Sequence, residues 1–247
     1  MTTTKVVPGV LLATPDPETV AREAAIRIAR ALRDAILARG AASIALSGGE
    51  TPRAAYQLLA HDTSVDWMKV DVFWVDERAV PPTDDRSNFR HAKEMLLDPA
   101  RIPSAHVHRM PADASDLVAA ARDYERTVRA SVPAGDHGFP AFDVMVLGVG
   151  DDGHTASLFP GEPTVDVVDR AVVEVPARGA REARLTLTAP VIEAASSIVV
   201  MAVGRGKNGP LERAWLVEGS TRDTPARIIR HARGAIAWVI DRAAGGI

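Results

Sequence analysis

The sequence has 247 residues and a formal net charge of −3, and 47% of its residues are hydrophobic and 25% charged. This composition is typical of a soluble globular protein with a large apolar core, and neither half of the chain is basic enough to support a nucleic-acid partner. Because the sequence has no cysteine, a disulfide framework and a thiolate metal site are both excluded.

The beginning of the chain has the features of an edge strand. It carries one lysine, and Pro8 and Gly9 interrupt its short apolar run, which argues against a signal peptide. No apolar stretch approaches the roughly 20 residues that a membrane span needs. We therefore expect a cytoplasmic protein with no membrane partner, built as a single domain over residues 1–247 and present as a monomer or weak homo-oligomer.

Helix and strand patterns alternate along the rest of the chain. Residues 16–39 predict a long helix that Asp16 caps, that has Pro17 in its first turn and that ends at Gly40. In chain order, the further predicted strands are 43–46, 70–75, 106–110, 143–150, 171–175, 183–188, 197–203 and 235–240. The further predicted helices begin at Pro52 or span 88–97, 113–131, 189–195 and 207–218.

This alternation decides the predicted fold class. Strands that alternate with helices imply crossover connections and a mostly parallel sheet. The strands are almost continuously apolar, as expected when a sheet is covered on both faces. We therefore predict an α/β fold with a mostly parallel, twisted sheet and helices on both of its faces. Ligands in such folds lie at the carboxyl ends of the strands.

Four polar segments, three of which contain glycine, follow predicted strands, and a parallel sheet would bring them to one edge. These segments are SGGETP (47–52), DERAVPPTDDRSN (76–88), GVGDDGHTASLFPG (148–161) and GRGK (204–207). In the first segment, Gly48 and Gly49 free the backbone to turn and Thr51 can cap a helix that begins at Pro52. The N–H groups of such a helix start attract anions such as phosphate. On these residues alone, an ordinary strand-to-helix turn is the stronger interpretation.

The second and fourth segments supply cations. Arg78 follows Asp76 and Glu77 and can donate two hydrogen bonds to a phosphate or carboxylate, although a local ion pair on a solvated loop is the commoner use of such a triplet. Lys207 stands at a predicted helix start, where it opposes the helix dipole unless an anion is present. Arg86 is predicted to be a surface residue, and Ser87 and Asn88 are predicted helix caps.

The third segment has the strongest chemistry. His154 follows a buried strand in a glycine-flanked loop, where an imidazole can take a proton from water, and Asp151 or Asp152 can orient the ring. Three alternatives stay open at this point. The histidine can serve only to satisfy backbone groups in a turn, the Asp-Asp-x-His cluster can bind a metal, or the aspartates can cap a helix near Thr155.

Taken in order, these segments resemble the 6-phosphogluconolactonase family. The resemblance rests on LSGGETP, VDERAVPPTDDRSN, LGVGDDGHTASLFPG, ARLTLTAP and VGRGK, which are spread over nearly the whole chain. It implies the fold shared with glucosamine-6-phosphate isomerase. It also implies hydrolysis of 6-phospho-D-glucono-1,5-lactone to 6-phosphogluconate in the oxidative pentose phosphate pathway. The implied partner is a small sugar-phosphate lactone, with no metal and no organic cofactor.

The resemblance also implies roles for individual residues. His154 matches the proposed general base that activates water, and Arg78 matches a second catalytic residue. The residues expected to bind substrate are Ser47, Gly48, Gly49, Thr51, Asp76, Gly150, Asp152, Gly153, Arg184 and Lys207. One position departs from the family pattern. Glu50 would repel a phosphate, so either its side chain points to solvent or this loop holds sugar hydroxyls.

Two rivals share this fold. Glucosamine-6-phosphate deaminases typically continue the histidine loop with Ala-Phe-Asn-Glu-Pro and carry Asp-Glu-Tyr after the second strand. The present chain has ASLFPG at 156–161 and Asp-Glu-Arg at 76–78, which favours the lactonase. Sugar-phosphate sensors carry a DNA-binding helix-turn-helix, and the residues before 43 offer only one helix.

Overall fold

The central element of the computed structural model, which describes residues 4–135 and 137–247, is a six-stranded parallel sheet. The strands are β1 (Val10–Thr14), β2 (Ala42–Leu46), β3 (Val70–Trp74), β4 (Asp76–Arg78), β5 (Val144–Gly148), β6 (Val172–Val175), β7 (Arg184–Leu187), β8 (Ser197–Ala202) and β9 (Ala235–Asp241). The order in the large sheet is β1-β9-β8-β5-β2-β3, and every pairing is parallel. The predicted sheet is therefore confirmed, with β1 at one edge. Residues 1–3 and 136 of the predicted single domain lie outside the described residues, and its extent stays a prediction.

Helices connect the parallel strands. They are α1 (Pro17–Arg39), α2 (Thr51–Ala60), α3 (Asn88–Ala92), α4 (Leu117–Ser131), α5 (Ala189–Ala194), α6 (Asn208–Trp215) and α7 (Arg242–Gly245). The predicted ends of α1 are confirmed: the Asp16 carboxylate accepts a hydrogen bond from the Thr19 N–H, and Gly40 is left-handed with φ 81°. All five residues of β2 are buried, as a strand covered on both faces requires. No described helix is long and apolar enough to cross a membrane.

A second sheet was not predicted. Strands β4, β7 and β6 form a separate three-stranded antiparallel sheet rather than joining the parallel one. The physical reason is the short connection over 176–183. Antiparallel strands can be joined by a short turn, whereas parallel neighbours need a crossover of a dozen or more residues.

Three local predictions were wrong. Residues 106–110 form no strand; Val107 makes a single parallel bridge to Val72 after a short 3₁₀ turn. Helix α4 begins at Leu117 rather than 113, because the Asp116 side chain accepts the Ala119 N–H and so fixes the helix start. Thr51 is the first residue of α2 and not its cap, since Glu50 occupies the cap position with helical backbone angles and no side-chain hydrogen bond.

The order of the strands explains where a site can form. The four strands that precede the polar segments are β8, β5, β2 and β3, and these are consecutive neighbours in the sheet. Because the strands are parallel, their carboxyl ends lie side by side. The predicted convergence of the four segments on one edge of the sheet is therefore confirmed.

Candidate active site

A cleft of about 630 Å³ lies at this edge and is lined by all four segments. It brings together eleven of the twelve residues that sequence reasoning placed in the site. They are Ser47, Gly48, Gly49, Thr51, Asp76, Arg78, Gly150, Asp152, His154, Arg184 and Lys207. The twelfth, Gly153, does not line the cleft. Its φ of +96° and its tight approach to Thr224 show that glycine is needed there for the turn itself.

Asp152 holds one edge of the His154 ring. His154 Nδ1 lies 2.6 Å from Asp152 Oδ1, and the His154 backbone N–H donates to the same oxygen at 3.0 Å. A carboxylate at this distance accepts from Nδ1–H, so in the neutral ring the lone pair is on Nε2. The ring packs directly against the backbone of Gly150. Only glycine allows this contact, because a Cβ at position 150 would come within 2.0 Å of His154 Nδ1. The imidazole therefore uses Nδ1 to bond Asp152, which leaves Nε2 available to accept a proton.

The carboxylate of Asp152 stays charged at pH values well below neutral. The hydrogen bond from the His154 side chain lowers the pKa of Asp152 to about 2, from an ordinary value of 3.8. A lowered pKa means that this group stabilises the fold above the unfolded value, and that its contribution is lost as the pH falls toward 2. Changes in activity between pH 5 and pH 8 therefore do not come from titration of this carboxylate.

Asp151 has a different partner. It accepts a hydrogen bond from Lys207 Nζ at 2.6 Å, and its side chain is 82% exposed whereas that of Lys207 is 25% exposed. The two adjacent aspartates thus divide their roles, with one on the histidine and the other on the lysine. The capping alternative fails, because the described residues around Thr155 form no helix and its hydroxyl donates to the Gly148 carbonyl.

Two arginines face each other across the small sheet. The antiparallel register of β4 and β7 places Arg78 directly opposite Arg184. Arg184 Nη1 lies 3.3 Å from Asp76 Oδ2 and from Ser157 Oγ, and Arg78 Nη1 donates to the Arg86 carbonyl at 2.6 Å. Like charges opposite each other destabilise a sheet, and one carboxylate offsets only part of this. An anion bound between the arginines would offset the rest.

The acids before Arg78 are buried and do not form an ion pair on a solvated loop. Asp76 and Glu77 are 5% and 2% exposed, so the local-ion-pair alternative is wrong. The Glu77 carboxylate accepts the N–H groups of Arg78, Asn88 and Phe89 at 2.7–2.9 Å, which fastens the loop after β4 to the start of α3. Burial raises the pKa of Glu77 above its ordinary value despite these bonds.

Sequence reasoning missed the role of Asn88, which it treated only as a helix cap. Asn88 is buried on the cleft wall, where its Nδ2 donates to the Asp76 carbonyl at 2.9 Å. Its amide also packs on Gly48, since a Cβ at that glycine would come within 1.8 Å of Asn88 Oδ1. Ser87 is the true cap of α3. The sequence alone does not show which of the two adjacent residues, Ser87 or Asn88, caps the helix and which lines the cleft.

Glu50 lines the cleft, but its side chain is largely exposed to solvent. The Glu50 side chain is 81% exposed and forms an ion pair with Arg53 at 2.9 Å. Its carboxylate is therefore solvated and partly neutralised. The predicted surface position of Arg86 is also confirmed, since its side chain is 55% exposed and pairs with Asp84 and Glu182.

The metal alternative receives no support from the described side chains. Across residues 4–135 and 137–247, histidine and acidic side chains form no group of three or more that could hold a metal ion. His154 and Asp152 are already hydrogen-bonded to each other, and Asp151 is bound to Lys207. These contacts favour proton transfer over metal ligation at this loop.

Comparisons with known proteins agree with the fold and identify the family. A family model described as glucosamine-6-phosphate isomerases/6-phosphogluconolactonase matches residues 15–238. A 6-phosphogluconolactonase from Synechocystis is 41% identical over 211 residues, which cover 85% of this chain and 86% of the relative. One from Streptomyces coelicolor is 36% identical over 240 residues, covering 93% and 90%. The crystal structure of a 6-phosphogluconolactonase from Shewanella baltica has a TM-score of 0.85 and 28% identity, covering 96% and 99%. The chain therefore belongs to the family of glucosamine-6-phosphate isomerases and 6-phosphogluconolactonases.

Proposed function

We propose that the protein hydrolyses 6-phospho-D-glucono-1,5-lactone to 6-phosphogluconate, the lactone-opening step of the oxidative pentose phosphate pathway. The observation that carries the proposal is the cleft itself, in which an oriented imidazole lies among Arg78, Arg184 and Lys207. The relatives that match most of the chain are named for this activity. A cytoplasmic location, the lack of a nucleic-acid partner and a monomeric or weakly associated state stay predictions.

The residues suit the hydrolysis of a lactone, which is a cyclic ester. Water attacks the carbonyl carbon while His154 Nε2 takes its proton, and the negatively charged Asp152 stabilises the imidazolium that forms. The tetrahedral intermediate carries an oxyanion, which preorganised donors stabilise. The bond from carbon to the ring oxygen then breaks, and the imidazolium returns the proton to that leaving oxygen.

The phosphate gives binding energy away from the reacting carbon. Arg78, Arg184 and Lys207 supply positive charge to the cleft, and the Ser47–Gly49 loop leads into the start of α2. Such a remote anion can be used to orient the lactone against the base. Tyr56 holds this loop in place, since its hydroxyl donates to the Ser47 carbonyl at 2.9 Å and accepts the Ser47 N–H at 3.1 Å.

The decisive test offers freshly made 6-phosphogluconolactone and, separately, glucosamine 6-phosphate to the protein. We expect acid release from the lactone well above the spontaneous rate and no ammonia release from the amino sugar. Activity is expected to persist after exhaustive chelation. Ammonia release would support the deaminase, and binding without turnover would support a sensor. Loss of activity that returns with added metal would revive the metal site.

Lys207→Ala is expected to weaken binding rather than chemistry. A charge-assisted hydrogen bond contributes about 1.5–3 kcal/mol, so KM for the phosphorylated lactone should rise about 10- to 100-fold while kcat changes little. Steady-state kinetics on this lactone and on gluconolactone without phosphate measure the effect. Lys93→Ala is the control, because Lys93 pairs with Asp98 on the surface. Equal losses on both lactones would contradict a phosphate role.

A further inference from the structure

The histidine ring is packed as well as hydrogen-bonded. The ring centroid of Phe159 lies 4.6 Å from that of His154, with 42° between the two planes. Asp152 holds only the Nδ1 edge, and a single hydrogen bond leaves a ring free to pivot about that contact. Phe159 is the aromatic neighbour of this ring, so the position of the phenyl ring can limit the pivot and set the direction of Nε2.

Phe159 is itself held by an arginine from a distant part of the chain. The guanidinium carbon of Arg181 lies 3.9 Å from the centre of the phenyl ring, closer than that of Arg184 at 5.4 Å. A planar guanidinium stacked on an aromatic face is a favourable and orienting contact. Phe159 is 7% exposed, so this contact is shielded from water.

Arg181 is also held by contacts of its own. It lies on the 176–183 turn between β6 and β7, where Arg178 and Arg181 exchange backbone hydrogen bonds at 3.0 and 3.1 Å. Glu162 accepts from Arg181 Nη2 at 3.1 Å and from Arg178 Nη1 at 2.8 Å. The Arg178 side chain is 74% exposed, whereas those of Arg181 and Glu162 are 18% and 14% exposed. Of the two arginines on Glu162, Arg181 is the one stacked on Phe159.

We propose that Phe159 and Arg181 are positioning residues that keep the His154 ring aligned for proton transfer. The β6–β7 turn thereby sets the geometry of the base, although neither residue lines the cleft. The proposal rests on the function proposed above. It differs from a general stabilising role because it places the effect on kcat and on the orientation of one ring, and leaves substrate affinity unchanged.

The test compares two variants that each lose an ion pair with Glu162. Arg181→Gln removes the bond to Glu162 and the stack on Phe159, whereas Arg178→Gln removes only a bond to Glu162. We expect kcat to fall roughly 3- to 30-fold in Arg181→Gln with KM unchanged, and to stay at the wild-type value in Arg178→Gln. Arg181→Lys should recover part of the loss, because it keeps a cation over the ring. Phe159→Leu should lower kcat roughly 10²-fold.

NMR of the His154 ring gives a readout that does not need turnover. The ring current of Phe159 shifts the His154 ring protons in the wild-type protein, and this shift should shrink in Arg181→Gln and persist in Arg178→Gln. Equal effects of the two glutamine variants, or an unchanged shift with unchanged kcat in Arg181→Gln, would overturn the proposal. A wild-type protein that does not open the lactone would refute the proposed function, whereas the NMR comparison would still decide the positioning role.

Discussion

Replacing His154 by glutamine is expected to lower kcat for lactone hydrolysis about 10²–10⁴-fold, the range that a positioned general base contributes. Glutamine keeps a polar side chain of similar length but cannot take the proton of the attacking water. Binding should survive, because the cations of the cleft are untouched. Single-turnover kinetics above the spontaneous rate measure the loss, and calorimetry with 6-phosphogluconate measures the affinity.

A second histidine provides the control for this variant. His61 is an exposed residue at the carboxyl end of α2, away from the cleft, so His61→Gln should retain wild-type kcat and affinity. Turnover by His154→Gln at the wild-type rate would contradict the assignment of the base. Parallel losses of kcat and of product affinity would instead indicate that the histidine loop has collapsed.

Gly150→Ala is expected to disable the base without removing it. The new methyl carbon would lie 2.0 Å from His154 Nδ1, far inside contact distance. The obstructing atoms belong to a side chain and not to the backbone, so the ring can swing away and the fold should survive. The displaced His154 ring would then lose its hydrogen bond to Asp152. A misplacement of a catalytic group by about 1 Å can lower the rate roughly 10²-fold. Kinetics together with a thermal melt measure both parts of this prediction.

Gly209→Ala is the matched glycine control. Gly209 lies in α6 outside the cleft, and its new methyl carbon would be 3.5 Å from Arg213 Nη1, an ordinary contact. Its kcat should equal that of the wild type. Wild-type kcat in Gly150→Ala would show that the ring adapts without losing its alignment. Unfolding of Gly150→Ala at low temperature would show that the glycine supports the loop as a whole.

The parts of the site that could be predicted are those that parallel topology dictates. Each polar segment directly follows an apolar strand, and parallel strands place all such segments at one edge. This reasoning located His154, Lys207 and the Ser47–Gly49 loop without knowledge of any contact. The alternating strand and helix pattern therefore carries most of the information about where the cleft lies.

The sequence could not predict that Asp152 bonds His154 whereas Asp151 bonds Lys207. The directions of two adjacent side chains in a tight turn depend on the backbone angles of that turn. Here the turn is closed by a hydrogen bond of 2.9 Å from the Gly153 N–H to the Gly150 carbonyl. The roles of Asn88 and Phe159 were hidden for another reason. Each of these two residues acts through a contact with a side chain or backbone group elsewhere in the chain. The pattern of residue types along the sequence does not show which groups come into contact.

The position of the small antiparallel sheet has a consequence for how new activities arise on this scaffold. Arg78 and Arg184 belong to strands of the small sheet, whereas His154 belongs to a loop of the large one. The two sheets are nevertheless coupled, because the Ser157 N–H of the histidine loop donates to Thr186 Oγ1 of β7 and Phe159 contacts Arg181 of the β6–β7 turn. We therefore expect mutations in β4 and β7 that change which anion is held to change the alignment of the base as well. This coupling is a physical constraint on how the isomerases and lactonases that the family name joins can differ, since a new substrate preference must keep the base aligned.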